Sequence, residues 1–139
     1  MHKRTQIRDR IESVLTGLTT TGARVYASRI ANVSNDNLPA LKLYLKDESV
    51  VDDASFGYEG IVECEVMIEC LVKSNDDFDS TLDLILEEVQ AAITADKLVG
   101  LRSLVKSIRY GSLAVEYAEG DQDLGVQTIT YLAEYEQTL

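Results

Sequence analysis

Residues 61–73 read IVECEVMIECLVK and carry the clearest strand signal in the chain. Successive side chains of a strand point to opposite faces, so this alternation predicts one buried apolar face and one face in contact with water. Such a two-sided strand is typical of an antiparallel sheet. The apolar positions are Val62, Cys64, Val66, Ile68, Cys70 and Val72, and the acidic ones are Glu63, Glu65 and Glu69.

Both cysteines of the chain lie on the apolar face of this predicted strand. In an extended backbone the Cα atoms of Cys64 and Cys70 would be about 20 Å apart. A disulfide requires a Cα separation below about 7 Å. The sequence therefore predicts two buried, reduced thiols that do not bond to each other.

Two stretches with helical spacing of apolar residues stand on either side of this strand. The first runs from about Arg4 to Leu18 and is followed by a Thr- and Gly-rich turn. The second ends near Thr94 and begins after Asn75, Asp76 and Asp77, residue types that favour a helix start. The predicted core positions are Ile7, Ile11, Val14, Leu15 and Leu18 in the first helix, and Leu82, Ile85, Leu86, Val89 and Ile93 in the second.

The remaining segments predict further strands. They are a short extended piece at 23–28, a strand at 40–46, a strand at 104–118 that is bulged near Gly111, and a strand at 126–136. Residues 47–60 are expected to form a long polar connection, and residues 119–125 a hairpin loop. The order of elements does not alternate as in βαβ units. We therefore predict a single α+β domain over residues 1–139, with a mostly antiparallel (mixed) sheet packed with two main helices.

The net charge of −11 is distributed unevenly. Residues 1–35 have a net charge of +4, and residues 36–139 have a net charge of −15. A chain this acidic is a poor candidate for binding free nucleic acid, because neutralisation of phosphates supplies most of that affinity. The acidic surplus either serves solubility or makes the molecule suited to contact with copies of itself. The residues considered for a subunit interface are Arg4, Arg8, Arg10, Arg24, Arg29, Asp52 and Asp53.

The sequence offers little for catalysis. The sole histidine, His2, stands near the N-terminus, and no Cys/His spacing fits a zinc site. The glutamate row of residues 61–73 has the spacing of a carboxylate pair, but a solvated strand face explains it better. The acidic groups at 47–53 and at Asp121 and Asp123 could hold a hard cation, so Mg²⁺ between subunits is one option and no other cofactor is expected. We predict an assembly protein rather than an enzyme.

The order of segments resembles one family of phage proteins. The chain is similar to the tail terminator proteins of long-tailed phages, the minor tail protein U type of lambda-like siphophages. The segments that carry the resemblance are Thr5-x-x-Arg8 before Ile11, Gly22-Ala23-Arg24-Val25-Tyr26-x-x-Arg29, Leu38-Pro39-Ala40-Leu41-x-Leu43-Tyr44-Leu45, the strand from Ile61, the Leu82–Ile93 helix and Leu132-x-x-Tyr135-Glu136.

The resemblance implies a homo-oligomeric ring, expected to have six subunits, at the head-proximal end of the tail tube. Its partners would be other copies of the chain, the tail tube protein and a head-completion or neck protein, with DNA passing only through the lumen. Assembly would take place in the host cytoplasm, and no apolar run approaches the roughly 20 residues of a membrane span. The alternatives are another head–tail neck completion protein or a small acidic regulatory or inhibitor domain that mimics DNA.

Overall fold

Among the residues that the structure describes, five strands form one sheet, and two helices pack on one of its faces. The computed structural model describes residues 2–53, 59–73, 77–118 and 124–138. The helices are α1 (Lys3–Leu15) and α2 (Phe78–Asp96), and short 3₁₀ turns span Asn35–Asn37 and Leu101–Ser103. The strands are β1 (Val25–Tyr26), β2 (Ala40–Asp53), β3 (Glu59–Lys73), β4 (Ser107–Ala118) and β5 (Leu124–Thr138). The predicted α+β class is confirmed.

The sheet is mixed, with the strand order β1-β2-β3-β5-β4. The short β1 runs parallel to β2, and every other neighbouring pair is antiparallel. Ile68 of β3 pairs with Leu43 of β2 and with Ile129 of β5, which places it in the middle of the sheet. The register between β4 and β5 shifts between Tyr110 and Ser112, so the predicted bulge at Gly111 is confirmed.

The core lies between the helices and the face of β3 that carries Ile68. All six alternating apolar residues of β3 are buried, including both cysteines, which are free thiols. The helices contribute residues at the spacing that amphipathicity predicts. The buried ones are Ile7, Ile11 and Leu15 of α1 and Leu82, Ile85, Val89 and Ile93 of α2.

The prediction of a polar connection at residues 47–60 is wrong for residues 47–53, 59 and 60, and residues 54–58 lie outside the described residues. Strand β2 continues to Asp53 and β3 begins at Glu59, with Glu48 opposite Cys64 and Val50 opposite Val62. Two register shifts accommodate this extension. Acidic residues disfavour strands, but hydrogen bonding along the β3 backbone outweighs that weak preference. Asp52 and Asp53 thus belong to a strand rather than to a polar connection.

The first helix also ends earlier than predicted. Thr16 is already extended, and Gly17 adopts a φ of 96°, in the left-handed region that glycine tolerates. The turn is closed by two backbone hydrogen bonds, from Gly17 N to Gly22 O and from Gly22 N to Leu18 O, each 2.8 Å long. Of the other predicted features, Asn75, Asp76 and residues 119–123 of the hairpin loop lie outside the described residues.

Candidate functional site

An open groove of about 510 Å³ lies between the start of α1 and the β1–β2 edge of the sheet. Three of the arginines considered for an interface line it, namely Arg4, Arg8 and Arg29. His2 and Tyr44 also contribute to its wall. The fold thus brings together part of the basic N-terminal segment. We call this surface the basic groove.

Tyr44 forms a fixed support for Arg29 in the basic groove. The guanidinium carbon of Arg29 lies 5.2 Å from the centroid of the Tyr44 ring. The Tyr44 hydroxyl donates a 2.7 Å hydrogen bond to Oε1 of Glu69. Burial, helped by this hydrogen bond, raises the pKa of Tyr44 to about 12, so the hydroxyl stays a donor at neutral pH. Arg29 itself remains exposed and is therefore available to a partner.

Arg4 is held by groups of its own chain. Its Nη2 donates to the Lys46 carbonyl at 2.7 Å, and its Nη1 lies 3.5 Å from Oε1 of Glu48. Glu48 also accepts hydrogen bonds from Tyr135 and Gln137. Burial opposes ionisation of Glu48, but these hydrogen bonds and the charge of Arg4 leave its pKa below the ordinary value. Arg4 therefore fastens α1 to β2.

Arg10 and Arg24 also fasten elements within the chain. Arg10 donates to both carboxylate oxygens of Asp96, with Nε–Oδ2 at 2.9 Å and Nη2–Oδ1 at 2.5 Å. The Arg10 hydrogen bonds hold the pKa of Asp96 below its usual range, although burial acts in the opposite direction. Arg24 donates to the carbonyls of Pro39 and Thr20. These two arginines line no part of the basic groove.

The acidic candidates lie far from the basic groove. Asp52 is exposed near the end of β2, eight residues beyond Tyr44. At about 3.3 Å per residue, this corresponds to roughly 26 Å along the strand. Asp53 is the last residue of β2 and pairs with Gly60. One copy of the chain therefore keeps Asp52 and Asp53 apart from Arg8 and Arg29.

Two glutamates of β3, Glu63 and Glu69, are engaged in contacts across the sheet. Glu63 accepts from Arg109 Nη2 at 2.9 Å, and Glu69 binds Tyr44 and lies 3.9 Å from Lys42 Nζ. Within residues 2–53, 59–73, 77–118 and 124–138, no group of three His, Cys, Asp or Glu side chains is placed to hold a metal ion. Asp121 and Asp123 are outside these ranges.

Strand β4 carries an exposed apolar surface that the sequence alone does not indicate. Of the C-terminal tyrosines, Tyr131 and Tyr135 of β5 are buried in the sheet. Four apolar residues of β4, however, are between 38% and 53% exposed. They are Tyr110, Leu113, Val115 and Tyr117, and we call them the β4 row. The alternation of these residues is visible in the sequence. The position of β4 at the edge of the sheet is not.

These surfaces occupy opposite edges of the sheet, with the basic groove at β1–β2 and the β4 row at the far end. The comparison with known protein families agrees with the resemblance seen in the sequence, since the family model of phage minor tail protein U matches residues 2–135. The chain belongs to this family. A search of curated proteins finds no match.

Membership in the minor tail protein U family makes the chain a structural protein of a phage tail. The family is one of structural tail proteins and not of enzymes. In the part of the chain that the structure describes, none of the helices has the length and apolar character required to span a membrane.

Proposed function

We propose that this minor tail protein terminates the tail. In this proposal six copies form a closed ring on the head-proximal end of the tail tube. The ring stops further addition of tube protein and offers the surface to which the head is joined. Its partners are the tube protein on one side and a head-completion or neck protein on the other. It forms in the host cytoplasm and remains at the neck end of the tail in the virion.

The observation that carries the proposal is the difference between the two edges of the sheet. A cyclic ring is built from heterologous contacts, in which one patch of each subunit meets a different patch of the next. The order β1-β2-β3-β5-β4 puts the basic groove at one edge and the apolar β4 row at the other. A molecule with two unlike surfaces at opposite edges can bind further copies one after another in the same direction. The addition of copies stops when the ring closes.

The charge of the chain suits a ring through which DNA passes. Six copies, each with a net charge of −11, repel one another, so the contacts that hold them must be short-range and apolar or paired at their centre. Salt weakens this repulsion, because the Debye length falls from about 30 Å at 0.01 M to about 10 Å at 0.1 M. An acidic lumen would repel DNA rather than retain it. The genome would then slide through the ring without binding.

Native mass spectrometry and electron microscopy of the purified protein test the ring. We expect a species six times the 15.4 kDa chain mass, seen as closed rings with a central hole. An acidic inhibitor that mimics DNA would remain a monomer or dimer at every protein concentration. That result, across a range of salt and Mg²⁺ concentrations, would refute the proposed function.

A further inference from the structure

We propose that the β4 row of one copy docks against the basic groove and Ile30 of the next copy. This inference rests on the proposed ring and specifies the contact that closes it. The occupant of the β4 row is thus a second copy of this chain.

The β4 row continues the core face of the sheet, and of its members Tyr117 contacts a helix, with its ring centroid 5.7 Å from that of Phe78 in α2. Leu113 pairs with the buried Ile129, and Val115 pairs with the buried Gln127, so their side chains point to the same side as the core. Helix α2 packs on β3 and β5, and α1 packs on β1 and β2. Among the apolar residues on this face of β4, Ile108 is buried, whereas Val115 is 53% exposed. This face is built like a core but is left partly open.

The backbone of β4 is open as well. Among the described residues β4 pairs with β5 and with no other strand, and it is 12 residues long. A long apolar edge strand favours pairing with other chains, and proteins usually shorten, charge or cover such an edge. In a ring the neighbouring copy would cover it.

The opposite edge of the molecule offers an apolar group beside its cations. Ile30 is 91% exposed and directly follows Arg29, which lines the basic groove. Arg8 lines the same groove, and its side chain is 41% exposed, with a distant ion pair of 3.9 Å to Asp9. An apolar residue next to cations resembles the centre and rim of a protein interface.

The acidic flank of α2 supplies the complementary charge next to β4. Glu88 accepts a hydrogen bond from Thr20 N, so the Glu88 side of α2 faces the turn that follows α1. With 3.6 residues per turn, Asp79 and Asp83 lie on the other side of the buried stripe, towards β4. Both are exposed. At the end of β4 that carries Tyr117, the edge is therefore apolar with an acidic border, whereas the groove edge is apolar with a basic border, and the two fit together. The other end of β4, near Ile108, is bordered instead by Lys97, Arg102 and Lys106.

Two substitutions on adjacent residues of β4 test the contact. Val115→Glu places a charge in the β4 row, whereas Ala114→Glu places the same charge on the opposite face of the strand, where Ala114 pairs with Thr128. We expect Val115→Glu to weaken ring formation about tenfold or more in sedimentation, as loss of an apolar interface anchor does. Ala114→Glu should change it less than about twofold. Thermal unfolding of both variants checks that the subunit remains folded.

Ile30→Glu tests the other side of the contact without touching the core, and it keeps the inference testable if Val115→Glu is unstable. It should also weaken ring formation about tenfold or more. A mixture of Ile30→Glu with Val115→Glu retains one intact pair of surfaces and should give dimers that neither variant gives alone, but no rings.

Three results would overturn the inference while leaving the proposed ring intact. One is that the wild type forms rings and that a folded Val115→Glu variant, measured separately, forms rings equally well. Another is a Val115→Glu variant that forms rings but no longer binds tube protein, since the row would then face the tube. The third is that the mixture of Ile30→Glu with Val115→Glu forms no dimers beyond those that each variant forms alone. If the wild type itself forms no ring, the proposed function fails first.

Discussion

Replacing Ile68 by alanine tests the position of the core most directly. Ile68 is completely buried, and its neighbours across the sheet, Leu43 and Ile129, are also completely buried. The substitution removes three carbon atoms, which at about 0.8 kcal/mol each gives a transfer cost of about 2.4 kcal/mol. The cavity that remains adds to this cost, because strands on both sides fix the site, so we expect a total of about 2–5 kcal/mol.

The matched control is the same substitution at Ile30, which is 91% exposed. Ile30→Ala should change the free energy of unfolding by less than about 0.5 kcal/mol. Urea unfolding of dilute protein at low salt, where we expect monomers, measures both variants. Ile68→Ala should lower the midpoint of unfolding without changing the slope. Equal midpoints for the two variants would refute the account of β3 as the centre of the core.

Three further predictions concern thiols, acid stability and assembly. Mass spectrometry under non-reducing conditions should find no Cys64–Cys70 bond, and native Cys70 should react slowly with thiol reagents at pH 8, because burial raises its pKa to about 12. Replacing both cysteines with Ala or Val should leave assembly intact. The Asp96 pKa is lowered by Arg10, so the stability that this carboxylate contributes is fully present above about pH 4 and is lost as the pH falls through the lowered pKa. The difference in free energy of unfolding between wild type and Asp96→Asn should therefore become smaller as the pH is lowered. A difference that stays the same at low pH would contradict this. Higher protein concentration, moderate salt or Mg²⁺ should favour rings over monomers. Arg8→Glu should weaken ring formation without unfolding the subunit. If sedimentation shows unchanged rings for this variant, Arg8 is not part of the interface.

Arg8 is a better choice for that charge reversal than Arg10. A carboxylate at position 10 would face Asp96, which is 7% exposed and already accepts two hydrogen bonds from Arg10. Repulsion between the two carboxylates would destabilise the subunit. A loss of rings would then say nothing about the interface. Arg8 pairs weakly with Asp9, its neighbour in the chain.

The sequence predicts the parts of the fold where local pattern and burial agree. The alternation at 61–73 and the helical spacing from Leu82 to Ile93 are strong because each segment has one face in the core. The extension of β2 from Asp47 to Asp53 is not predictable from the sequence, because four of its seven residues are acidic and the segment is mostly exposed. Its strand conformation depends on hydrogen bonds to β3, which no local pattern records.

The candidate site was predictable only in part for a similar reason. The basic segment is visible in the sequence, but Arg10 and Asp96 are 86 residues apart, so their pairing depends on the tertiary fold. The structure thereby separates the arginines that hold the fold from Arg8 and Arg29 in the basic groove. Likewise, the alternation of Leu113, Val115 and Tyr117 looks the same in a central strand as in an edge strand. Strand order decides that they are exposed.

The most direct test of tail termination is the length of tail tubes assembled from purified tube protein of the same phage. With this protein added, we expect tube growth to stop and electron micrographs to show one ring at a single end of each tube. The Val115→Glu variant at the same concentration should leave growth unaffected. Tubes that lengthen at the same rate with and without the wild-type protein would contradict the account.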